Sequence, residues 1–252
     1  MGGRRAFGGK TIYGARVGIL IMETQFPRVP GDIGNALTWP FPVLYKVIRG
    51  ATFKTVIVDK AKDLLEAFVA GADELVTQGA DGIATSCGYL SVIQEGLRAR
   101  CPVPVASSSL MQVPFVQRLL PPGKRVGIIT ETASLLTEEH LKAAGAPLDT
   151  PVVGCEHGRE LQRTFVKDEV EFDLAAAEQD MFDAGDEMRN NHPDVGAIVL
   201  ETTNMVPFSR ALSEHTVLPV YDIYSFICWF HAGLAPRDFG WPGSAPRDFR
   251  ER

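Results

Sequence analysis

The sequence predicts an α/β protein of two pseudo-symmetric lobes, each built on a parallel sheet, with a site in the cleft between them. Three observations carry this expectation. Short apolar strands alternate with helical stretches, an order that right-handed crossovers turn into parallel sheets. The halves repeat: Val17-Gly18-Ile19-Leu20 matches Val126-Gly127-Ile128-Ile129 at a shift of 109, and Pro104-Val105 matches Pro219-Val220 at a shift of 115. Two strand ends match at the second shift, Gly82-Ile83-Ala84-Thr85-Ser86-Cys87-Gly88-Tyr89 and Gly196-Ala197-Ile198-Val199-Leu200-Glu201-Thr202-Thr203-Asn204-Met205. Each is an apolar run that stops at small polar residues and turns into a helical pattern.

Taken in order, Arg16 to Met22 reads as a buried parallel strand. Glu23 to Pro42, with four prolines and two glycines, reads as a long irregular loop packed through Phe26, Trp39 and Phe41. Val43 to Arg49 resumes a short element, and the β-branched run Thr55-Val56-Ile57-Val58 is expected to be the next strand. Leu64 to Gly79 has helical spacing, and the Cys87 strand follows. A helix from about Leu90 to Arg98 and a short strand Val103 to Ala106 end at Ser107-Ser108-Ser109, which is placed to cap what comes next.

The second half gives a strand at Arg125 to Thr130, a helix at Thr137 to Ala144 and a strand at Val152-Val153. A long amphipathic helix at about Asp173 to Asn190, the Thr202 strand, a last strand at Leu218 to Asp222 and a last helix at Ile223 to Ala232 complete it. We place the first lobe at 15–112 and the second at 113–221, with 222–252 packing back on the first. The Gly- and Arg-rich start (Met1 to Lys10) and the tail from Gly233 read as terminal arms.

A chain of 252 residues, 45% hydrophobic and 22% charged, can bury a sizeable core. The net charge of −6, without a basic cluster carrying interleaved aromatics, argues against nucleic acid and anionic membranes as partners. No apolar run is long enough to span a membrane, and no apolar region follows the N-terminal arm as a signal peptide requires. Cys87, Cys101, Cys155 and Cys228 are widely spaced, with no CxxC pair or histidine cluster; reduced thiols in a cytoplasm are expected, and no metal site.

Ligands of open α/β sheets sit beyond the carboxyl ends of strands. There a helix N-terminus offers unpaired N–H groups to a carboxylate and lowers the pKa of a thiol. Cys87 is thus a candidate base for the proton α to a small acid's carboxylate, with Thr202 on the opposite face. A free cysteine is commonly a buried small hydrophobe, and that is the reading for Cys101, Cys155 and Cys228. Thr85 and Ser86 are expected to line the cleft, and Gly88, Tyr89, Thr203 and Asn204 to supply backbone N–H groups. Asn35 and Tyr45 follow the long loop and either contact substrate or brace the loop. Thr130 and Thr132 either bind a carboxylate or cap. Asp222 is read as the cap of the last helix, and Glu201 as a residue that tunes the site or pairs across the lobes.

Val29-Pro30-Gly31-Asp32-Ile33-Gly34-Asn35, Thr85-Ser86-Cys87-Gly88, Leu200-Glu201-Thr202-Thr203-Asn204-Met205 and Pro219-Val220-Tyr221-Asp222 together resemble the aspartate/glutamate racemase superfamily over about residues 15 to 232. The resemblance implies two Rossmann-like lobes, an interlobe site, no cofactor, dimers or larger assemblies, and a pair of cysteines. The second cysteine's motif there often reads Glu-Cys-Thr-Asn; here it is Glu201-Thr202-Thr203-Asn204. The superfamily contains racemases, isomerases, decarboxylases and lyases that split dimethylsulfoniopropionate. The resemblance therefore implies, first, racemase or isomerase chemistry on a small amino or carboxylic acid. A one-base lyase or decarboxylase comes second, and a non-catalytic binding protein third.

Overall fold

The computed structural model describes residues 8–237 and 239; the expected N-terminal arm up to Phe7, and the tail from 240 onward, lie outside the described residues. Eight strands form two four-stranded parallel sheets. The first contains β1 (Val17–Met22), β2 (Val43–Ile48), β3 (Gly82–Thr85) and β4 (Val105–Ala106), in the order β2-β1-β3-β4. The second contains β5 (Arg125–Thr130), β6 (Val152–Gly154), β7 (Val195–Leu200) and β8 (Val220–Tyr221), in the equivalent order β6-β5-β7-β8. The internal repeat reaches single hydrogen bonds. Ile83 N–H donates to Pro104 O and Ile198 N–H to Pro219 O, both at 2.9 Å. Ser86 N–H donates to Leu20 O at 3.0 Å, and its equivalent Glu201 N–H to Ile129 O at 2.9 Å.

The central strands β1 and β3 are buried along their whole length, which is why they read as continuous apolar runs. Helices α1 (Leu65–Gln78) and α2 (Gln94–Arg100) belong to the first half, and α3 (Val113–Gln117) opens the second by packing on β5. Helices α4 (Glu138–Ala144), α5 (Leu174–Asn191) and α6 (Ser209–Thr216) belong to the second. Their ends follow local chemistry: Asp173 caps α5 through Ala175 and Ala176 N–H, and Thr137 with His140 closes a capping box on α4. Ser108 caps the turn that leads into α3. The last helix, α7 (Ile223–Leu234), is capped by Asp222 and runs through Gly233, beyond the expected end at Ala232. Its Ile223, Phe226 and Ile227 pack with Val17, Ile19 and Ala84 of the first sheet.

One buried cluster spans both sheets. Leu20, Leu75, Leu90 and Leu97 of the first half cluster with Val126, Ile128, Ala197 and Val199 of the second. Fully burying each such aliphatic side chain contributes about 1.5–3 kcal/mol, so the halves hold each other in register.

Two expectations are corrected. Thr55–Val58 is no strand: Lys54–Val58 is a π-helical turn that buries Val56 and Ile57, and the place beside β1 is taken by β2 over all six of its residues. Strand propensity yields here to tertiary pairing. The segment after Cys87 opens as a 3-10 turn, Gly88–Ile93, before α2 begins. The stretch Glu23 to Pro42 is the long loop expected, with a 3-10 turn at Ala36–Thr38 inside it.

Candidate active site

The carboxyl ends of β1, β3, β5 and β7 meet at a narrow hollow between the lobes. The β3 turn contributes Ser86, Cys87, Gly88 and Tyr89; the β7 turn contributes Glu201, Thr202, Thr203 and Asn204. Glu131 enters from the end of β5, Phe26 and Arg28 come from the long loop, and Phe165 from the π-helical turn Gln162–Val166. Phe26 and Phe165 meet edge-on at 5.1 Å between ring centroids, and the Arg28 guanidinium lies 4.6 Å over Phe26.

Cys87 is buried, 7% exposed, at the junction of β3 and the 3-10 turn. Burial pushes its thiol well above its ordinary value, and the charges of Glu201 and Glu131 push it further; the Tyr89 and Leu90 amides act the other way and are outweighed. The expected lowering by a helix end is therefore corrected. A single 3-10 turn supplies too little aligned dipole to offset desolvation beside two carboxyl groups.

Thr202 Oγ1 donates to Glu201 Oε2 at 3.0 Å and accepts from Glu131 N–H at 3.1 Å. Glu201 Oε2 also accepts from Thr130 Oγ1 at 2.7 Å, whereas Oε1, fully buried, has no hydrogen-bond partner among the described residues. The Tyr89 amide favours the charged carboxylate without the alignment of a hydrogen bond to that oxygen. Burial raises the Glu201 pKa to about 7 against these donors. Glu131, 4% exposed, is raised to about 8, first by burial and then by Glu201.

The remaining contacts fix the two turns. Thr203 Oγ1 donates to Ser86 O across the interface at 2.7 Å, and Asn204 Nδ2 to Asp32 Oδ2 at 2.5 Å. Asp32 in turn receives Arg28 Nη1 at 2.8 Å and Gly34 N–H at 2.6 Å. Ser86 Oγ accepts from Met22 N–H at 2.9 Å. Among the described residues, no protein acceptor takes the backbone N–H of Gly88, Thr203 or Asn204, so both turns present unpaired amides beside the hollow.

Several expected site residues serve elsewhere. Thr85 does not line the cleft; its hydroxyl turns inward to Ser107 O at 2.5 Å. Asn35 braces the loop, donating to Arg28 O and accepting from Leu37 N–H. Tyr45 fastens the same loop, donating to Ile33 O and accepting from Trp39 Nε1. Thr130 is fully buried behind Glu201, and Thr132 accepts from Gln162. Tyr89 is a lobe-to-lobe tie: its hydroxyl donates to Thr132 O at 2.8 Å and lies 3.0 Å from Thr130 Oγ1, while its amide addresses the Cys87 sulfur. Glu131 and Arg28 escaped sequence reasoning. Glu131 sits between two threonines that were noticed, at a strand end, and that position was its only signal.

Fold and hollow define a two-lobed α/β protein with an interlobe pocket bearing one thiol and two buried acids. The chain belongs to the Asp/Glu/Hydantoin racemase family, whose model matches residues 50–230. It is 26% identical over 216 residues to a dimethylsulfoniopropionate lyase of Durusdinium sp. clade D, covering 82% of this chain and 71% of that protein. Against dimethylsulfoniopropionate lyase 3 of Emiliania huxleyi (strain CCMP1516) it is 26% identical over 215 residues, covering 82% of this chain but only 56% of that one. In fold it is similar to arylmalonate decarboxylase (TM-score 0.56, 15% identity, 92% and 95% of the two chains). It is likewise similar to Picrophilus torridus aspartate racemase (TM-score 0.53, 13% identity, 87% and 95%). Among the described residues, no helix is long and apolar enough to cross a membrane, and no group of three or more His, Cys, Asp or Glu is arranged to hold a metal ion.

Proposed function

We propose that the protein is a lyase that abstracts the proton α to the carboxylate of a small acid and expels a leaving group from the neighbouring carbon. The observation that carries this reading is the inequality of the two turns. Cys87 offers a thiol to the hollow, whereas the Thr202 hydroxyl already donates to Glu201 and accepts from Glu131. Inversion needs an acid–base group on each face; elimination needs one.

The lining points to the kind of acid. Among the described residues, Arg28 is the one cation along the hollow, with Asp32 and Thr24 holding two of its nitrogens. Its remaining N–H groups and the amides of Gly88, Thr203 and Asn204 suit a carboxylate and the enolate-like charge that develops from it. Glu131, with the rings of Phe26 and Phe165, suits a cationic end. A sulfonium carboxylate of the dimethylsulfoniopropionate type has both ends and agrees with the names of the relatives. In the reaction the Cα–H electron pair becomes the C=C bond, the C–S pair leaves on sulfur, and the proton passes to Cys87. The products are an alkenoate, a neutral sulfide and a proton.

Incubation of the protein with dimethylsulfoniopropionate, dicarboxylates and amino acids in deuterated water tests this. The expected products are acrylate and dimethyl sulfide from the sulfonium acid, both lost in Cys87→Ala. Deuterium at Cα of an inverted substrate without alkene would make the protein a racemase, and full turnover by Cys87→Ala would remove the mechanism.

A further inference from the structure

A buried thiol that burial itself keeps protonated needs a partner to take its proton before it can act as a base. Around Cys87 the choice is narrow. Near Glu201 are Glu131 from the end of β5 and Cys87 and Tyr89 from the β3 turn; Arg28 of the long loop lines the same hollow, paired with Asp32. Among the described residues, no histidine or lysine lines the hollow. Of the two acids, Glu201 approaches the cysteine turn: Gly88, next to Cys87, has no room for a β-carbon because Glu201 Oε1 and its backbone oxygen press against it. Two hydroxyls occupy Oε2, while Oε1 is buried and unpartnered. The carboxyl group is therefore anchored on one oxygen, while the other lies against the cysteine turn at Gly88 without a hydrogen bond to the Cys87 thiol.

We propose that Glu201 is the proton acceptor for Cys87, the two working as one proton-sharing pair across the lobe interface. The S–H bond breaks, an O–H bond forms on Oε1, and the negative charge moves from carboxylate to sulfur. After the thiolate has taken the substrate proton, Cys87 is again a thiol. Glu201 then releases its proton to solvent, which accounts for the one proton the elimination sets free. A Glu201 value near 7 places this exchange in the neutral range. The proposal rests on Cys87 being the base but not on which bond the carbanion breaks, so its test uses no substrate.

The test is the rate of Cys87 alkylation by iodoacetamide against pH, read at the Cys87 peptide by mass spectrometry on the full chain. In the native protein the rate is expected to rise through an inflection near pH 7, where the pair loses one of its two protons, to a plateau. Glu201→Gln, which keeps the size and the threonine contacts, should lose the inflection and react about tenfold or more slowly at pH 8. Glu201→Asp should restore the inflection with a reduced plateau, and Glu131→Gln should keep it. A native protein that alkylates only above about pH 8.5, as a free thiol does, overturns the proposal whatever the variants do. So does an inflection that survives in Glu201→Gln or vanishes in Glu131→Gln. Loss of lyase turnover with an intact native inflection would instead count against the proposed function alone.

Discussion

The carboxyl group of Glu201 packs so closely on Gly88 that residue 88 has no room for a β-carbon. The two residues belong to different sheets, and this contact brings the β7 turn onto the cysteine turn. It explains glycine at position 88 by close approach, since its φ does not lie in the left-handed region. Gly88→Ala is expected to destabilise the fold by about 1–3 kcal/mol, the usual effect of overpacking. The denaturant midpoint measures it, and a Glu201→Ala background should relieve only part of the loss, because the Glu201 backbone oxygen stays against residue 88. An unchanged midpoint in the single variant would show slack in the turn.

The two buried acids make stability depend on pH, and the sign follows from their direction. Glu131 and Glu201 titrate at about 8 and about 7 in the folded chain, above their ordinary 4.5. Below about pH 4.5 both states hold these protons and nothing is lost. As pH rises further the unfolded chain releases them first, so stability falls until the folded values are passed. Glu131→Gln is therefore expected to raise Tm at pH 8.5 and leave it nearly unchanged at pH 4.5. Equal effects at both pH values would show that its carboxyl is not perturbed.

Thr202 satisfies two buried groups at once, the Glu131 amide and Glu201 Oε2. Thr202→Val keeps the volume but strips the Glu131 amide of its acceptor. We expect about 1–3 kcal/mol of lost stability, recovered in Thr202→Ser. A valine variant as stable as the native chain would mean that water substitutes for the hydroxyl.

Asp168 clasps the loops over the site. Its Oδ1 accepts from Gln25 N–H at 2.8 Å and Phe26 N–H at 3.1 Å, and its carbonyl from Gln25 Nε2 at 3.0 Å. It does so with φ at 59°, a left-handed conformation that aspartate tolerates better than most residues. Asp168→Ala should free the Phe26 segment, seen as faster amide exchange at residues 25 and 26 and faster iodoacetamide labelling of Cys87. No change in either rate would show that the Phe26–Phe165 contact closes the site unaided.

How much of this was legible beforehand divides by the range of the cause. Periodicity, caps and turn chemistry act over a few residues. For that reason β1, β5 and β7, the caps Ser108 and Asp222, and the paired turns at Cys87 and Thr202 could be read from the chain. The internal repeat gave the matching sheet orders by the same local means. Thr55–Val58 could not be read so, because its neighbours in space and not its β-branched residues chose its shape. The site shows the limit more sharply. Whether Thr85 faces the cleft depends on Ser107, 22 residues on, and the charge of Glu131 on Glu201, 70 residues on. The sequence by itself determined two facing strand-to-helix turns and the thiol at one of them. Only the tertiary structure decided that this thiol stays protonated, that Thr202's hydroxyl is already engaged, and that two acids share the hollow. Ionisation and hydrogen-bond direction are set by burial and by charges that arrive from the other lobe.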